Sequence, residues 1–330
     1  MTKILVTGAF GQIGTELTQA LRDRHGSENV LATGRRLPPA DAPTAIAGPM
    51  EHLDVTDHGA VMEAVRRHDV DSIYHLAAKL SAVGEHDPQL AWDVNMNGLY
   101  NVLEASRIHD VQRVFWPSSI AAFGPETPHE RTPQTTIMHP TTIYGVSKVA
   151  GELLGDYYFR RYGLDVRGVR YPGVISSETL PGGGTTDYAV EIFYAALQSG
   201  RYTCFVREDT VLPMIYMPDC IKAAISLMEA DLSRLRHHNG YNVAAMSFSA
   251  GGLASEIQSH IPNFECGFEP DERQGIADSW PRSIDDGAAR SDWDWNPEYD
   301  LSRMVTDMLS KLRARAAVQA SAPGTGAISS

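Results

Sequence analysis

The chain has 330 residues, of which 43% are hydrophobic, and its formal net charge is −13 at pH 7. This much apolar sequence is enough for one large α/β domain, or for a main domain with a smaller partner. The negative charge argues against nucleic acid or an anionic membrane as a partner, because both attract basic patches, and no apolar run reaches the length of a membrane span.

The cysteine and histidine patterns predict a cytoplasmic protein without a metal site. Cys204, Cys220 and Cys266 are far apart and lack CxxC spacing, which is typical of a reducing compartment. The twelve histidines show no ligand spacing such as HExxH. Because a strand-like run already begins at Lys3, we expect no signal peptide.

From residue 1 to about residue 175, short β-branched runs alternate with amphipathic stretches. The predicted strands are Ile4–Val6, Val30–Thr33, Ser72–Leu76, Arg113–Pro117 and Val166–Tyr171. The predicted helices are Ile13–Arg24, Gly59–Arg67, Gln89–Ile108 and Tyr144–Tyr162. This alternation predicts an α/β fold over residues 1–175, with a Rossmann-type, doubly wound parallel sheet that helices cover on both faces.

Beyond residue 175 the alternation becomes irregular. A helix is predicted near Asp187–Gln198, a strand at Tyr202–Val206 and a helix near Pro218–Ala230, with connections rich in glycine and proline. We therefore expect residues 176–312 to form mainly a smaller, mixed α/β substrate-binding cap, with part of 210–245 returning to the first domain. Residues 313–330 are poor in large apolar side chains and are predicted to be disordered.

A glycine-rich loop, Thr7-Gly-Ala-Phe-Gly-Gln-Ile-Gly14, follows the first predicted strand and opens the first predicted helix. In such a unit Gly8 permits the tight turn, Gly11 lets a pyrophosphate approach the backbone, and Gly14 lets the helix pack on the strand. The helix start, with Gln12 and Ile13, directs backbone N–H groups at the phosphates. The loop predicts a dinucleotide site.

The end of the second strand affects the choice between NAD and NADP. About 20 residues after the loop, an acidic residue ordinarily binds the ribose 2′-hydroxyl of NAD, whereas an arginine accommodates the 2′-phosphate of NADP. This position is Gly34, followed by Arg35 and Arg36. The pattern favours NADP, unless both arginines are simply solvated surface charges. Asp54, after a third predicted strand, is expected to accept a hydrogen bond from the adenine amino group.

A catalytic group is predicted at Tyr144-Gly-Val-Ser-Lys148, which opens a helix and places an ammonium one turn from a phenol. A phenol with a pKa of about 10 is a poor base at neutral pH. A close ammonium and a nicotinamide cation favour the phenolate and bring its pKa nearer to the working range. The serines of Pro117-Ser-Ser119 follow a predicted strand, at the edge where a hydroxyl can bind the substrate oxygen that loses its proton.

Together these motifs resemble the extended short-chain dehydrogenase/reductase superfamily, and within it the epimerase-like L-threonine 3-dehydrogenases. The resemblance spans residues 3 to about 312 and implies NAD-dependent oxidation of the threonine side-chain hydroxyl to 2-amino-3-oxobutanoate. It is carried by Gly8–Gly14, Tyr144 with Lys148, and the segments 117–125, 136–152, 182–192 and 276–286.

The resemblance also implies the roles of individual residues. Tyr144 becomes the general base, Lys148 lowers its pKa and holds the nicotinamide ribose, Ser119 is the catalytic hydroxyl and Ser118 a neighbouring substrate contact. The usual cofactor contacts fall on Asp54, Val55, Leu76, Ala77, Ala78, Asn95, Tyr171 and Pro172. Gly34 departs from the family, which generally carries Asp there, so the choice between NAD and NADP stays open.

The segment Pro181-Gly-Gly-Gly-Thr-Thr-Asp187 is predicted to contribute to the substrate pocket. Thr185, Thr186 and Asp187 are residue types that begin helices, and free N–H groups at a helix start suit a carboxylate. We therefore expect Gly184, Thr185 and Thr186 to line the amino-acid pocket, with mobile glycines that let the segment close over the substrate. An ordinary capped helix after a loose surface loop is the alternative.

Two further residues are predicted to lie in this pocket. Ser81 follows the fourth predicted strand at its carboxyl edge, although its hydroxyl could instead cap the next segment. Trp280 is expected to wall the pocket from the cap, with a plain core position as the alternative.

The resemblance also implies how the chain assembles. Relatives pair through the helices that correspond to 90–108 and 145–162, which implies a homodimer. Apolar groups for such an interface are supplied by Leu153, Leu154, Tyr157 and Tyr158, unless they face the core.

Two other functions are alternatives to a dehydrogenase. A sugar-nucleotide epimerase or dehydratase would need basic groups for a diphosphate, for which Arg201, Arg207, Arg273 and Arg282 are available. A non-catalytic dinucleotide sensor would need only the phosphate loop.

Overall fold

The computed structural model describes residues 2–39, 48–180 and 182–321. The strands are β1 (Ile4–Thr7), β2 (Val30–Gly34), β3 (Met50–His52), β4 (Ser72–His75), β5 (Arg113–Phe115), β6 (Ser118–Ser119), β7 (Asp165–Arg167), β8 (Val169–Tyr171), β9 (Gly173–Ile175), β10 (Arg201–Cys204), β11 (Val211–Tyr216), β12 (Tyr241–Asn242), β13 (Met246–Ser249) and β14 (Glu265–Phe268). The helices are α1 (Gln12–His25), α2 (His58–Arg67), α3 (Ser81–His86), α4 (Pro88–Trp92), α5 (Gly98–Ile108), α6 (Ile143–Tyr162), α7 (Tyr188–Gln198), α8 (Met217–Glu229), α9 (Ala250–His260), α10 (Arg273–Asp278), α11 (Gly287–Trp293) and α12 (Leu301–Ser321).

The largest sheet has six parallel strands in the order β3-β2-β1-β4-β5-β7. The order reverses between β1 and β4, and sheets of this kind bind ligands beyond the carboxyl ends of the strands at such a point. All four residues of β1 are buried, as expected for a strand that is covered on both faces. The predicted doubly wound, Rossmann-type α/β fold is confirmed.

Helices cover the two faces of this sheet through separate hydrophobic cores. On one face Leu17 of α1 and Ala224 of α8 belong to the same buried cluster. On the other face Val61 of α2, Val102 of α5 and Tyr158 of α6 share a second cluster. This layered packing fixes α1 and α6, whose N-terminal ends both reach the carboxyl edge of the sheet.

A third core lies beyond residue 175, where α7, α9 and α12 surround the small sheet β9-β11-β13. Phe193, Leu253 and Met308 are fully buried in it. By contrast, α8 packs on α1, and β12 pairs with β8. The chain between 211 and 242 therefore contacts both parts of the molecule, while the predicted domain limits themselves stay a prediction.

Two predicted elements are divided in the structure. The predicted helix Gln89–Ile108 consists of α4 and α5, joined by a π-helical turn at Asp93–Asn97. The predicted strand Val166–Tyr171 is broken at Gly168 into β7 and β8. At that break the backbone passes so close to the Trp116 carbonyl oxygen that a Cβ on residue 168 would lie 2.3 Å from it, which only glycine permits.

The last helix extends into the segment that is predicted to be disordered. The helix α12 does not stop at residue 312 but continues to Ser321, because Arg313 to Ala317 are strong helix formers. Leu312 is buried, and the Arg315 guanidinium donates a hydrogen bond to the Ser177 carbonyl oxygen. Residues 322–330 of the predicted tail lie outside the described residues.

The four residues predicted on an apolar face of α6 divide between two environments. Leu153 and Tyr157 are 63% and 51% exposed. Leu154 instead packs against the core on that side of the sheet, and Tyr158 is buried, with its hydroxyl donating to Glu104 Oε1 at 2.6 Å. Only the first two are available to a partner. In the ranges 2–39, 48–180 and 182–321, no helix is both long and apolar enough to span a bilayer.

Candidate active site

The glycine loop between β1 and α1 adopts the shape that its sequence predicts. Gly8 has φ +68°, and a Cβ there would lie 2.6 Å from the Ala77 backbone nitrogen. A Cβ on Gly14 would lie 2.1 Å from the Gly8 carbonyl oxygen. Both positions therefore require glycine for close backbone contact, and Gly11, which is exposed, immediately precedes the first residue of α1.

This loop fits the phosphates of a dinucleotide. The N-terminus of α1 has no acidic residue in its first turn and no side chain that caps it. Its leading N–H groups and the positive end of the helix dipole thus point toward the space next to Gly11 and Gln12, which suits a bound anion. A side chain at either Gly8 or Gly14 would force the loop backbone to shift out of this shape.

A cleft of about 510 Å³ extends from this loop, past the start of α6, to the segment before α7. Most of the residues predicted to bind cofactor or substrate line it. They are Gly8, Gly11, Gln12, Ile13, Gly14, Leu76, Ala78, Ser81, Ser118, Ser119, Tyr144, Lys148, Tyr171, Pro172, Gly184, Thr185, Thr186 and Trp280.

Five residues predicted to contact the cofactor do not line the cleft: Ala77, Val55, Asn95, Asp54 and Arg35. The Ala77 backbone packs on Gly8, and Val55 is buried against Gly98. The Asn95 amide accepts from Lys79 N at 2.7 Å and donates to Lys79 O at 3.1 Å, so that it fixes the loop before α3. Asp54 and Arg35 lie at the edge of the sheet.

Tyr144 and Lys148 lie together in the first turns of α6. Thr142 begins this helix, since its hydroxyl accepts a hydrogen bond from Gly145 N at 3.1 Å. The Lys148 ammonium lies 5.2 Å from the centre of the Tyr144 ring and 4.5 Å from that of Trp116. It donates to the Pro117 carbonyl oxygen at 2.7 Å, which fixes its position near the Tyr144 ring.

Burial governs the protonation of both groups. It raises the pKa of Tyr144 to about 12, opposed by a hydrogen bond from the Ser119 hydroxyl. It also lowers the pKa of Lys148 to about 7, opposed by the Glu152 carboxylate one turn further along α6. Burial therefore disfavours the phenolate and the ammonium alike, and the phenol needs nearby positive charge before it can act as a base.

Ser118, predicted as a substrate contact, lines the cleft, but its hydroxyl binds another protein group. Its hydroxyl donates to Glu152 Oε1 at 2.5 Å, inside a buried network. The Arg170 guanidinium binds both oxygens of the same carboxylate, at 2.9 and 2.7 Å. Ser119 is the serine whose hydroxyl faces Tyr144. The alternating direction of side chains along β6 separates the two serines, and the sequence offered no signal for the long-range pairing with Arg170.

A buried histidine next to the lysine was also missed by the sequence analysis. His75 ends β4, and its Nδ1 forms a 2.7 Å hydrogen bond with the Thr7 hydroxyl. Burial, with a smaller contribution from the Lys148 charge, lowers the pKa of His75 to about 3. The imidazole is therefore neutral and adds no positive charge beside Tyr144.

The glycine segment before α7 is held by Asp187. Its Oδ2 accepts hydrogen bonds from the N–H groups of Gly183 and Gly184, at 2.8 and 2.7 Å. These two N–H groups are therefore not free for a substrate carboxylate, while the part of the prediction that concerns Thr185 and Thr186 stays a prediction. Burial raises the pKa of Asp187, against the effect of these two bonds.

The backbone of Gly182 and Gly184 and the side chains that follow them line the cleft. Thr185 is buried and forms a 3.3 Å hydroxyl–hydroxyl contact with Ser81, and Thr186 is half-buried. Trp280 is 6% exposed and closes the far wall. Thr179 also lines the cleft, with a buried hydroxyl that finds no partner among the described residues. No cluster of three or more His, Cys, Asp or Glu with metal-binding potential occurs in the described ranges.

Comparison with known proteins agrees with this geometry. Residues 4–244 match the NAD dependent epimerase/dehydratase family. An uncharacterized epimerase/dehydratase from Staphylococcus aureus (strain USA300) is 52% identical over 320 residues, which cover 97% of this chain and 99% of that protein.

Solved structures whose sequences are about half identical to this chain agree with this family assignment. L-threonine dehydrogenase from Clostridium difficile is 49% identical with a TM-score of 0.92, over 96% of this chain and 98% of that one. A monomeric L-threonine 3-dehydrogenase from a metagenome is 47% identical with a TM-score of 0.91, over 94% and 99%. The chain thus belongs to the NAD dependent epimerase/dehydratase family, and these structural neighbours are L-threonine 3-dehydrogenases of the extended short-chain dehydrogenase/reductase type.

Proposed function

We propose that the chain oxidises the side-chain hydroxyl of L-threonine to 2-amino-3-oxobutanoate, with an oxidised nicotinamide dinucleotide, for which the resemblance implies NAD, as the hydride acceptor. The observation that carries this proposal is the meeting of Ser119, Tyr144 and Lys148 in one cleft with the phosphate loop. A dehydrogenase needs these parts within reach of each other, because the alcohol must lose a proton and a hydride in one place.

The dinucleotide supplies the hydride acceptor and, in its oxidised form, a positive charge. Its phosphates would be held at Gly8–Gly14 and its nicotinamide half near Lys148 and Ala78. Ser119 donates a hydrogen bond to the substrate oxygen and keeps it close to the Tyr144 phenol. Tyr144 accepts the alcohol proton as the general base, and Lys148 stabilises the phenolate that precedes this transfer.

The α-amino and carboxylate groups of the threonine substrate would lie toward the cap. Ser81, Thr185 and Thr186 present hydroxyls to the cleft, and hydroxyls donate well to a carboxylate. Trp280 provides an apolar wall that excludes water from the reacting centre. A small amino acid therefore meets polar donors on one side and the catalytic group on the other.

Replacing Thr186 with alanine is expected to lower kcat/KM for L-threonine about tenfold or more, since a hydrogen bond to a charged group is lost. The Kd for the dinucleotide should stay within about twofold, because Thr186 lies at the substrate end of the cleft. Steady-state kinetics and isothermal titration calorimetry give the two values.

Thr306→Ala is the matched control, because Thr306 lies on the exposed side of α12. It should leave both values unchanged. An equal loss of cofactor affinity in the Thr186→Ala variant would make the segment structural and contradict its assignment to the substrate pocket.

A sugar-nucleotide epimerase is less well supported by the cap. The four arginines that could bind a substrate diphosphate all have acidic partners and do not line the cleft: Arg201 with Glu265, Arg207 with Asp278, Arg273 with Asp271 and Arg282 with Glu130. A diphosphate would have to displace these carboxylates. A sensor, in turn, would have no use for Tyr144 and Lys148.

The experiment that separates these functions follows the absorbance of reduced nicotinamide in the presence of L-threonine or UDP-glucose. A dehydrogenase accumulates reduced cofactor with threonine, whereas an epimerase returns the hydride to its sugar. Accumulation with L-threonine alone supports the proposal. Turnover of the sugar nucleotide would favour the epimerase, and binding of the cofactor without turnover would favour the sensor.

We also propose that the chain forms a homodimer through the exposed apolar side chains of α5 and α6, namely Tyr100, Val146, Leu153 and Tyr157. Light scattering after size exclusion should give about twice the chain mass of 36.1 kDa, and Leu153→Glu should shift it to the single chain mass, because a charge would be buried at the interface. A wild-type chain at the single mass would contradict this assembly.

A further inference from the structure

The position at which this family generally carries an acidic residue lies at the carboxyl end of β2, beside the phosphate loop. In the parallel pairing of β1 and β2, Thr33 is opposite Thr7, so Gly34 lies next to Gly8. The Gly34 carbonyl accepts a hydrogen bond from Leu53 N at 3.1 Å, which ties this position to the end of β3. A dinucleotide held by the loop therefore presents its adenosine ribose here.

Phe10 occupies the space of the missing side chain. A Cβ on residue 34 would lie 2.8 and 3.2 Å from two carbons of the Phe10 ring. The ring also lines the cleft. With the ring in this position, residue 34 can carry no carboxylate, so nothing there accepts a hydrogen bond from a ribose 2′-hydroxyl and nothing repels a phosphate on it.

Two arginines follow directly, and both side chains are exposed. Across residues 2–39, 48–180 and 182–321, neither guanidinium has a carboxylate within salt-bridge distance. Among the described residues, the carboxylate that senses the Arg35 charge is that of Asp54. Its Oδ1 already accepts from Thr56 N at 3.0 Å and from the Thr56 hydroxyl at 2.8 Å.

The charge balance of this corner is positive. The pKa of Asp54 is lowered first by the Thr56 backbone hydrogen bond and also by the charges of Arg35 and His52. Arg35 is therefore close enough to Asp54 to act on its charge, and Arg35 with Arg36 outweighs this one carboxylate. Guanidinium groups bind phosphate oxygens through charge-assisted hydrogen bonds.

From these contacts we infer that the corner formed by Phe10, Gly34, Arg35 and Arg36 accepts an adenosine 2′-phosphate, so that the chain binds NADP at least as tightly as NAD. The inference rests on the dinucleotide site of the proposed function and does not depend on threonine as the substrate. Phe10 and Gly34 leave no carboxylate at residue 34 to select NAD. The guanidinium groups of Arg35 and Arg36 supply the positive charge that selects the 2′-phosphate of NADP.

The test is isothermal titration calorimetry of the full chain with NAD⁺ and NADP⁺, and with 2′,5′-ADP and 5′-AMP as probes of the 2′-phosphate alone. The Kd for NADP⁺ should be equal to or lower than that for NAD⁺, and 2′,5′-ADP should bind at least about tenfold more tightly than 5′-AMP. A higher Kd for NADP⁺ than for NAD⁺ would overturn the inference.

Variants distinguish a specific contribution of Arg35 and Arg36 to cofactor binding from the effect of the chain's overall charge. The double variant Arg35→Ala/Arg36→Ala should raise the Kd for NADP⁺ at least about tenfold and change that for NAD⁺ by less than about twofold. Arg160→Ala/Arg161→Ala removes the same charge at the C-terminal end of α6, about 24 Å along the helix from Tyr144, and should change neither value. If the Arg35/Arg36 variant changes neither Kd, or changes both equally, these arginines are merely solvated and the inference fails.

The reverse exchange restores selection for NAD. Phe10→Ala/Gly34→Asp makes room for a carboxylate and should raise the ratio of the NADP⁺ Kd to the NAD⁺ Kd at least about tenfold, and an unchanged ratio would count against the inference. Because none of these titrations contains threonine, they distinguish the two proposals. Tight NADP binding without threonine oxidation would contradict only the proposed function. Threonine oxidation by a chain that binds NAD more tightly than NADP would contradict only this inference.

Discussion

Replacing Tyr144 with phenylalanine is expected to lower kcat for threonine oxidation by about 10²–10⁴-fold, the usual contribution of a positioned general base. The phenol lies in the cleft, hydrogen-bonded to Ser119 and one helical turn from Lys148. Phenylalanine keeps the ring and its packing but has no oxygen to accept the alcohol proton. The chemical step should therefore fail while the cleft keeps its shape.

A measurement of cofactor binding distinguishes the loss of the general base in Tyr144→Phe from a loss of structure. The Kd for the dinucleotide should stay within about threefold in Tyr144→Phe, because the phosphate loop and the Lys148 ammonium are untouched. Tyr299→Phe removes a phenol hydroxyl far from the cleft and should leave kcat unchanged. Full activity of Tyr144→Phe would mean that another group takes the proton.

Replacing Lys148 with methionine should lower kcat/KM about 10²-fold or more at pH 8 and make the remaining activity strongly dependent on pH. With burial holding the pKa of Tyr144 at about 12, only about one phenol in 10⁴ is ionised at pH 8 without the help of the ammonium. The phenolate fraction, and with it the rate, then rises about tenfold for each pH unit.

The sign of the pH effect follows from the charges. A phenolate at Tyr144 and a positive Lys148 stabilise each other, so the phenolate raises the Lys148 pKa above the value of about 7 that it has beside a neutral phenol. The acidic limb of the wild-type kcat/KM profile therefore has its midpoint at lower pH than in the variant. Removal of the ammonium should move that midpoint upward. The stability of the fold should not suffer, since burial itself lowers the pKa of Lys148 to about 7 and thus disfavours its charged form.

Lys311→Met provides the control for this variant. Lys311 also pairs with a residue one turn earlier, Asp307, but it lies on α12 away from the cleft. Its substitution should change neither kcat/KM nor the midpoint of the pH profile. An unmoved midpoint in Lys148→Met would show that the ammonium does not control the phenol.

The parts of the site that the sequence predicted are those built from neighbouring residues. The phosphate loop depends on glycines three residues apart next to a strand, and Tyr144 and Lys148 face each other because they are four residues apart on a helix. Local spacing fixes such geometry. The fold class followed in the same way from the alternation of strands and helices.

The parts that the sequence did not predict depend on side-chain direction or on pairs distant along the chain. Ser118 and Ser119 differ only in the face of β6 on which they lie, and only the structure shows that Glu152 binds one of them. The Glu152–Arg170 pair joins α6 to β8. Asp187 turns back to the glycines before it instead of forward into α7. In each case several partners were chemically possible, and packing selected one.

The central claim is that the chain transfers a hydride from threonine C3 to a nicotinamide dinucleotide. Following the hydrogen on C3 tests this claim most directly. The chain should be incubated with L-[3-²H]threonine and oxidised dinucleotide, and the reduced cofactor and product should be analysed by mass spectrometry. Our account predicts deuterium in the reduced cofactor, 2-amino-3-oxobutanoate or its decarboxylation product without that label, and slower turnover than with unlabelled threonine. Reduced cofactor that carries no deuterium, or no reduction at all with threonine, would contradict it.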